Sequence, residues 1–208
     1  MFSLIKKFFG RSQSGLNQNV SFVIAGIGNK GEKYSNTRHN IGFSVVDALL
    51  KKSEEVLRER GCRSEIVISR LPEGDVVSIV KPQTLVNRSG IAIKEVLKRY
   101  DLPLSSCLII IDDFNLPLGK LRFRRSGTDG GHNGLRSIIS EMGADFPRLR
   151  IGIGPLPEDL DVVDFVLGSF DKQEIEKKDE TVNKAADAVL FFCKNGIEAA
   201  MSRYNSNN

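Results

Sequence analysis

At 208 residues, with 40% hydrophobic and 27% charged positions, the chain has apolar material for one substantial core and the composition of a folded protein. No apolar run approaches the ~20 residues of a membrane-spanning helix, so no membrane partner is expected. A net charge of +4 permits a polyanionic partner without requiring one, while three scattered cysteines (Cys62, Cys107, Cys193) lack the paired spacing of a zinc site and suit a reducing compartment.

Residues 1–20 form an N-terminal extension that is first basic and apolar (Phe2, Leu4, Ile5, Lys6, Lys7, Phe8, Phe9, Arg11) and then polar, with no acidic residue before Glu32. The expectation is a poorly ordered or targeting segment, and the Lys6-Lys7 pair breaks any secretory apolar core. From 21 to 208 apolar runs alternate with amphipathic stretches. The pattern predicts a strand over Ser21–Ile27 ended by the turn Gly28-Asn29-Lys30-Gly31, and a helix over Ile41–Lys51. Strands follow at Glu65–Arg70 and Val76–Val80, with a turn at Pro72–Asp75 between them. A helix over Ser89–Tyr100 leads to a fully buried strand at Cys107–Ile111, terminated by Asp112 and Asp113. Leu121–Arg125 alternates apolar and basic residues, so one strand face is basic and solvent-accessible. A helix at Asn133–Met142, a strand at Leu149–Ile153 and two helices at Gln173–Ala186 and Asp187–Tyr204 complete one α/β domain.

The polar groups that carry chemistry fall in loops at strand ends, where α/β sheets place their sites. The chain has two histidines, His39 in Thr-Arg-His-Asn and His132 in Gly-Gly-His-Asn-Gly, and they are the candidate bases near neutral pH. No Gly-x-Ser-x-Gly elbow and no cysteine beside these loops marks a covalent nucleophile, and two histidines without regular carboxylate spacing make a poor metal site. The glycine-rich loop also lacks the Gly-Lys-Ser/Thr ending of a phosphate-binding loop. From the residues alone, a histidine–aspartate pair activating water and a binding module both remain open.

Five ordered motifs then carry a resemblance: Gly26–Gly42, Lys81–Gly90, Asp112–Gly119, Gly130–Leu135 and Arg148–Gly154 resemble the signatures of bacterial-type peptidyl-tRNA hydrolases. The resemblance spans the chain from about residue 21 and leaves out only the extension. It implies a single three-layer α/β domain whose central sheet is mixed, largely parallel and flanked by helices. It implies hydrolysis of the ester that joins peptide to tRNA, recycling tRNA from aborted translation. In that reading His39 is the general base, Asp112 orients it, and Asn29 contacts the peptide as part of the catalytic set. Tyr34, Leu85, Asn87 and Asn133 bind the peptide–ribose end, and Arg122, Arg124 and Arg125 are candidate tRNA phosphate contacts. His132 braces the glycine-rich loop or touches substrate.

No cofactor and no metal are implied; the partner is peptidyl-tRNA, and the expected protein is a cytoplasmic monomer, or an organellar one if residues 1–20 are a transit peptide. The chain departs from the family pattern at Lys30 (usually proline), Leu85-Val86 (usually Phe-Met), Asn115 (commonly aspartate) and Pro155, which lacks the arginine often found after the last Gly-Ile-Gly. The competing implication is a non-catalytic relative acting as an RNA-splicing or partner-binding factor, which an exposed apolar patch away from the site would favour.

Overall fold

The sheet grows outward from its most apolar segments. In the computed structural model, which describes residues 20–205, β1 (Phe22–Gly26) lies between β4 (Val76–Pro82) and β5 (Cys107–Pro117). These three are parallel, and β7 (Arg148–Gly154) extends the parallel set beyond β5. Strand alternation explains why β1 and β5 read as continuous apolar runs. Ile24, Leu108 and Ile110 face one layer of helices, and Val23, Ala25, Ile109 and Ile111 face the other. Both edges are antiparallel. A hairpin of β2 (Glu54–Gly61) and β3 (Ser64–Arg70) pairs onto β4, and β6 (Leu121–Arg124) pairs with β7, giving the order β2-β3-β4-β1-β5-β7-β6.

Helices cover both faces. α1 (Ile41–Leu50) and α5 (Ile175–Asn205) bury Val45, Val46, Leu49, Val182 and Val189 in one layer. α2 (Ser89–Tyr100) and α3 (Asn133–Met142) bury Ile93, Val96, Leu135 and Ile138 in the other. A short helix, α4 (Val162–Leu167), lies between β7 and α5 in the chain. The three-layer architecture with a mixed, largely parallel sheet is the expected one. Among the described residues no helix is long and apolar enough to cross a membrane. The expectation for the extension falls, Val20 apart, outside the described residues.

Four features differ from the sequence reading. The edge strand β2 went unread because five of its eight residues are charged; charge on an exposed edge hides it from an apolar pattern and blocks edge-to-edge pairing. α4 has six residues, too few to display a helical period. β5 continues past Asp112 and Asp113 to Pro117, so the two aspartates lie within the strand, ahead of an irregularity in its pairing with β7. The two expected C-terminal helices run as one element through 186–187, since Ala185, Ala186, Ala188 and Val189 form one buried stripe; the kink comes at Gly196, whose φ of 78° suits glycine.

Candidate active site

Two glycines bring the candidate base to its carboxylate. α1 begins so close to the sheet that a Cβ on Gly42 would stand 2.6 Å from the Ile27 carbonyl oxygen and 2.7 Å from that of Ile110, while one on Gly26 would stand 2.3 Å from the Gly42 oxygen. Only hydrogen fits there. The 3-10 turn Arg38–Asn40, just ahead of α1, is thereby laid against β5, and His39 Nδ1 comes 2.7 Å from Asp112 Oδ1. Asn40 fixes the neighbouring loop: its side chain accepts from the Asn29 N–H (2.8 Å) and donates to the Asn29 carbonyl (2.9 Å). The Asn29 side-chain oxygen accepts from Val86 N–H at 3.3 Å, which leaves its NH₂ group as a donor on the cleft.

One carboxylate oxygen serves both histidines. Asp112 Oδ1 also lies 3.1 Å from His132 Nε2, and His132 Nδ1 accepts from the backbone N–H groups of Gly134 and Leu135 as the N-cap of α3. Those two donors require a lone pair on Nδ1, so the proton of His132 is on Nε2 and points at Asp112. His39 donates through Nδ1, which leaves its Nε2 as the acceptor. His39 is 7% exposed and Asp112 4%. Burial alone disfavours a charged His39, but the Asp112 charge and hydrogen bond outweigh it and raise the His39 pKa. Burial likewise opposes ionisation of Asp112, yet the charges and hydrogen bonds of His39 and His132 hold its carboxyl well below the usual range. The ligand atoms of His39, Asp112 and His132 lie within 4.8 Å of one another, near enough to share a cation. Here both nitrogens facing the carboxylate carry protons, an arrangement that orients a base rather than one that coordinates.

The site opens into a cleft with a cavity of about 210 Å³. Asn29, His39, Asp129 and Asn133 make its polar wall, and Val86, Phe114, Val162, Val163, Val166 and Leu167 its apolar wall. Arg150 also lines it, with a terminal nitrogen 2.8 Å from Asp113 Oδ2.

Of the residues expected from sequence, the structure brings together His39, Asp112, Asn29 and Asn133 on this cleft. Leu85 and Asn87 are exposed in the adjoining turn, where Val86 is the residue that lines the cavity. Tyr34 stands outside the cleft, its ring beneath Lys33 Nζ at 4.8 Å. Arg122 and Arg124 project from one face of β6 with Arg150 opposite Arg122, whereas Arg125 pairs with Glu198 and lines a groove at the other end of the parallel strands. Sequence reasoning missed Arg150, although the alternation Arg-Leu-Arg at 148–150 repeats the signal read at 122–124. It also missed the valine wall of α4 and the His132–Asp112 bond, which joins residues with no shared local pattern.

The geometry has close relatives. The peptidyl-tRNA hydrolase family model matches residues 23–208. A peptidyl-tRNA hydrolase of Fervidobacterium nodosum is 47% identical over 187 residues, covering 88% of this chain and 96% of that protein. One from Caldanaerobacter subterraneus is 46% identical over 185 residues, covering 88% and 99%. The crystal structure of a peptidyl-tRNA hydrolase from Acinetobacter baumannii superimposes with a TM-score of 0.82 at 32% identity, over 91% of this chain and 96% of that one.

Proposed function

The chain belongs to the peptidyl-tRNA hydrolase family, and from that premise we propose that it cleaves the ester between peptide and tRNA by a water that His39 activates. The reading rests on one observation above all: a buried His39 with Nδ1 bound to Asp112 at 2.7 Å and its ring on the wall of the cleft. His39 Nε2 takes a proton from water as the oxygen attacks the ester carbonyl carbon. The imidazolium so formed is stabilised by the Asp112 carboxylate, whose charge favours it. The Asn29 NH₂ group donates to the oxygen on which charge develops. Collapse breaks the bond to the ribose oxygen, which takes the proton back from His39, and the products are tRNA with a free hydroxyl and the peptide acid, which releases its proton to solvent and leaves as the carboxylate. Asn133 and Val86 flank the reacting ester, and Arg122, Arg124 and Arg150 face the RNA phosphates.

The test is release of tRNA from purified peptidyl-tRNA. His39→Ala lowers the rate by about 10²–10⁴-fold, the usual contribution of a positioned general base. A variant as fast as the unaltered protein would overturn the mechanism, and an inactive unaltered protein would overturn the enzyme reading. The partner-binding alternative is not favoured: among the described residues, the exposed large apolar side chains Leu85, Leu160, Val162, Val163 and Leu167 belong to the segments bordering the cleft, and Ile175 stands apart.

A further inference from the structure

Arg38 is next to the base in sequence, yet it is absent from the cleft wall and 6% exposed. Its guanidinium lies between two phenyl rings, 4.6 Å from the centroid of Phe165 and 4.7 Å from that of Phe170. Both terminal nitrogens donate to Glu174, at 3.1 Å to Oε1 and 2.7 Å to Oε2, and Glu174 Oε2 also accepts from Asp171 N–H. The backbone repeats the connection: Arg38 N–H donates to the Gly168 carbonyl, and Thr37 bridges Ser169. The segment from α4 to Glu174 is thus wrapped around a single side chain. A planar fork that pairs with a carboxylate and stacks between aromatic faces is a task for arginine rather than lysine.

α4 needs such an anchor. Six residues do not form a stable helix in isolation, and Phe165, the residue stacked on Arg38, is the one buried residue in it. Its other face carries Val162, Val163, Val166 and Leu167 to the cleft, with Val163 57% exposed. An exposed valine wall facing a polar catalytic centre gains nothing from polyanionic RNA, but it complements apolar side chains of a peptide.

We infer that Arg38 and Glu174 are positioning residues that clamp α4 as an apolar wall over His39, and that this wall selects substrates whose peptide ends in an apolar residue at the ester. The inference rests on the proposed hydrolase reading. Its test uses the full chain with N-acetyl-leucyl-tRNA and N-acetyl-seryl-tRNA, together with hydrogen exchange at amides 162–168, which needs no activity. Glu174→Gln raises KM for the leucyl substrate by about tenfold, the scale of a lost apolar side-chain contact, and for the seryl substrate by less than about threefold. The kcat values and the acid limb of the pH profile stay in place, and amides 162–168 exchange faster. Val163→Ser, at an exposed position, reproduces the selective rise in KM without faster exchange. Equal effects on both substrates, a loss confined to kcat, a displaced acid limb or unaltered exchange in Glu174→Gln would each overturn the clamp. Failure of the hydrolase reading would show differently, as an unaltered protein inactive on both substrates.

Discussion

Asp112 Oδ1 binds two histidines that the chain separates from it by 73 and 20 positions, and in the proposed mechanism its charge beside His39 sets the pH dependence of the reaction. His39 must be neutral to accept a proton, and Asp112 raises its pKa above the ordinary value of 6.5. The kcat/KM of the hydrolase therefore falls as pH drops through that raised value. In Asp112→Asn burial is left unopposed, so the acid limb moves to lower pH while the plateau drops; a limb that stays in place would assign it to another group. Folding free energy depends on pH in a different window. The raised His39 contributes stability that is present below about pH 6.5 and lost as pH rises through its folded value. The depressed Asp112 contributes stability that is present above about pH 4 and lost as pH falls through its folded value. Between those limits the pair stabilises the fold most, so its titration should lower the rate on the acid side while the folded signal in circular dichroism stays level. Two histidines in the sequence limited the search to two bases, but their common carboxylate is a product of tertiary packing alone.

At the scale of elements, apolar periodicity read the long helices and buried strands within a few residues, because burial on one or both faces leaves a direct imprint on residue type. It failed where other forces shape the element: charge at the edge strand β2, and tertiary anchoring at α4. The glycine-rich loop is a third such case. Gly127, Gly130 and Gly131 have positive φ and supply no side chains to hold the loop. Arg148 holds it instead: 1% exposed, stacked on Phe146 at 4.0 Å, it donates to the carbonyls of Gly127, Thr128 and Ala144. Burial, with the neighbouring Arg150, pushes its pKa down to about 10. The sequence shows Arg148 as one more basic residue on an alternating strand and gives no sign that it is interior. Arg148→Met keeps the apolar stem but strands the Gly127 and Thr128 carbonyls, while that of Ala144 keeps the Phe146 N–H, and denaturant unfolding should show a loss of roughly 3 kcal/mol. The half-buried Arg124, treated the same way, loses roughly 0.5 kcal/mol or less. Equal losses would mean that Arg148 does not anchor the loop.

Across the whole molecule, the net charge of +4 says little, and the placement of arginines says more. Register puts Arg122 opposite Arg150 and Arg124 opposite Arg148, so four cations share one face of the β6–β7 edge, and Arg150 carries that face to the cleft. Arg150 is paired with Asp113, but among the described residues neither Arg122 nor Arg124 has a carboxylate partner. Burial first, and then the repulsion of Arg122 and Arg150, push the Arg124 pKa down. Such repulsion opposes folding and is relieved by a polyanion. Each phosphate contact adds nearly one unit to the slope of log affinity against log salt. Binding of tRNA to the His39→Ala protein, titrated across salt concentrations, isolates this contribution from turnover. Arg124→Gln should lower the slope by about 1, and Arg125→Gln should leave it unchanged because that side chain pairs with Glu198 and lines a separate groove. A slope insensitive to Arg124, or one lowered by loss of Arg125, would move the RNA to a different face of the protein.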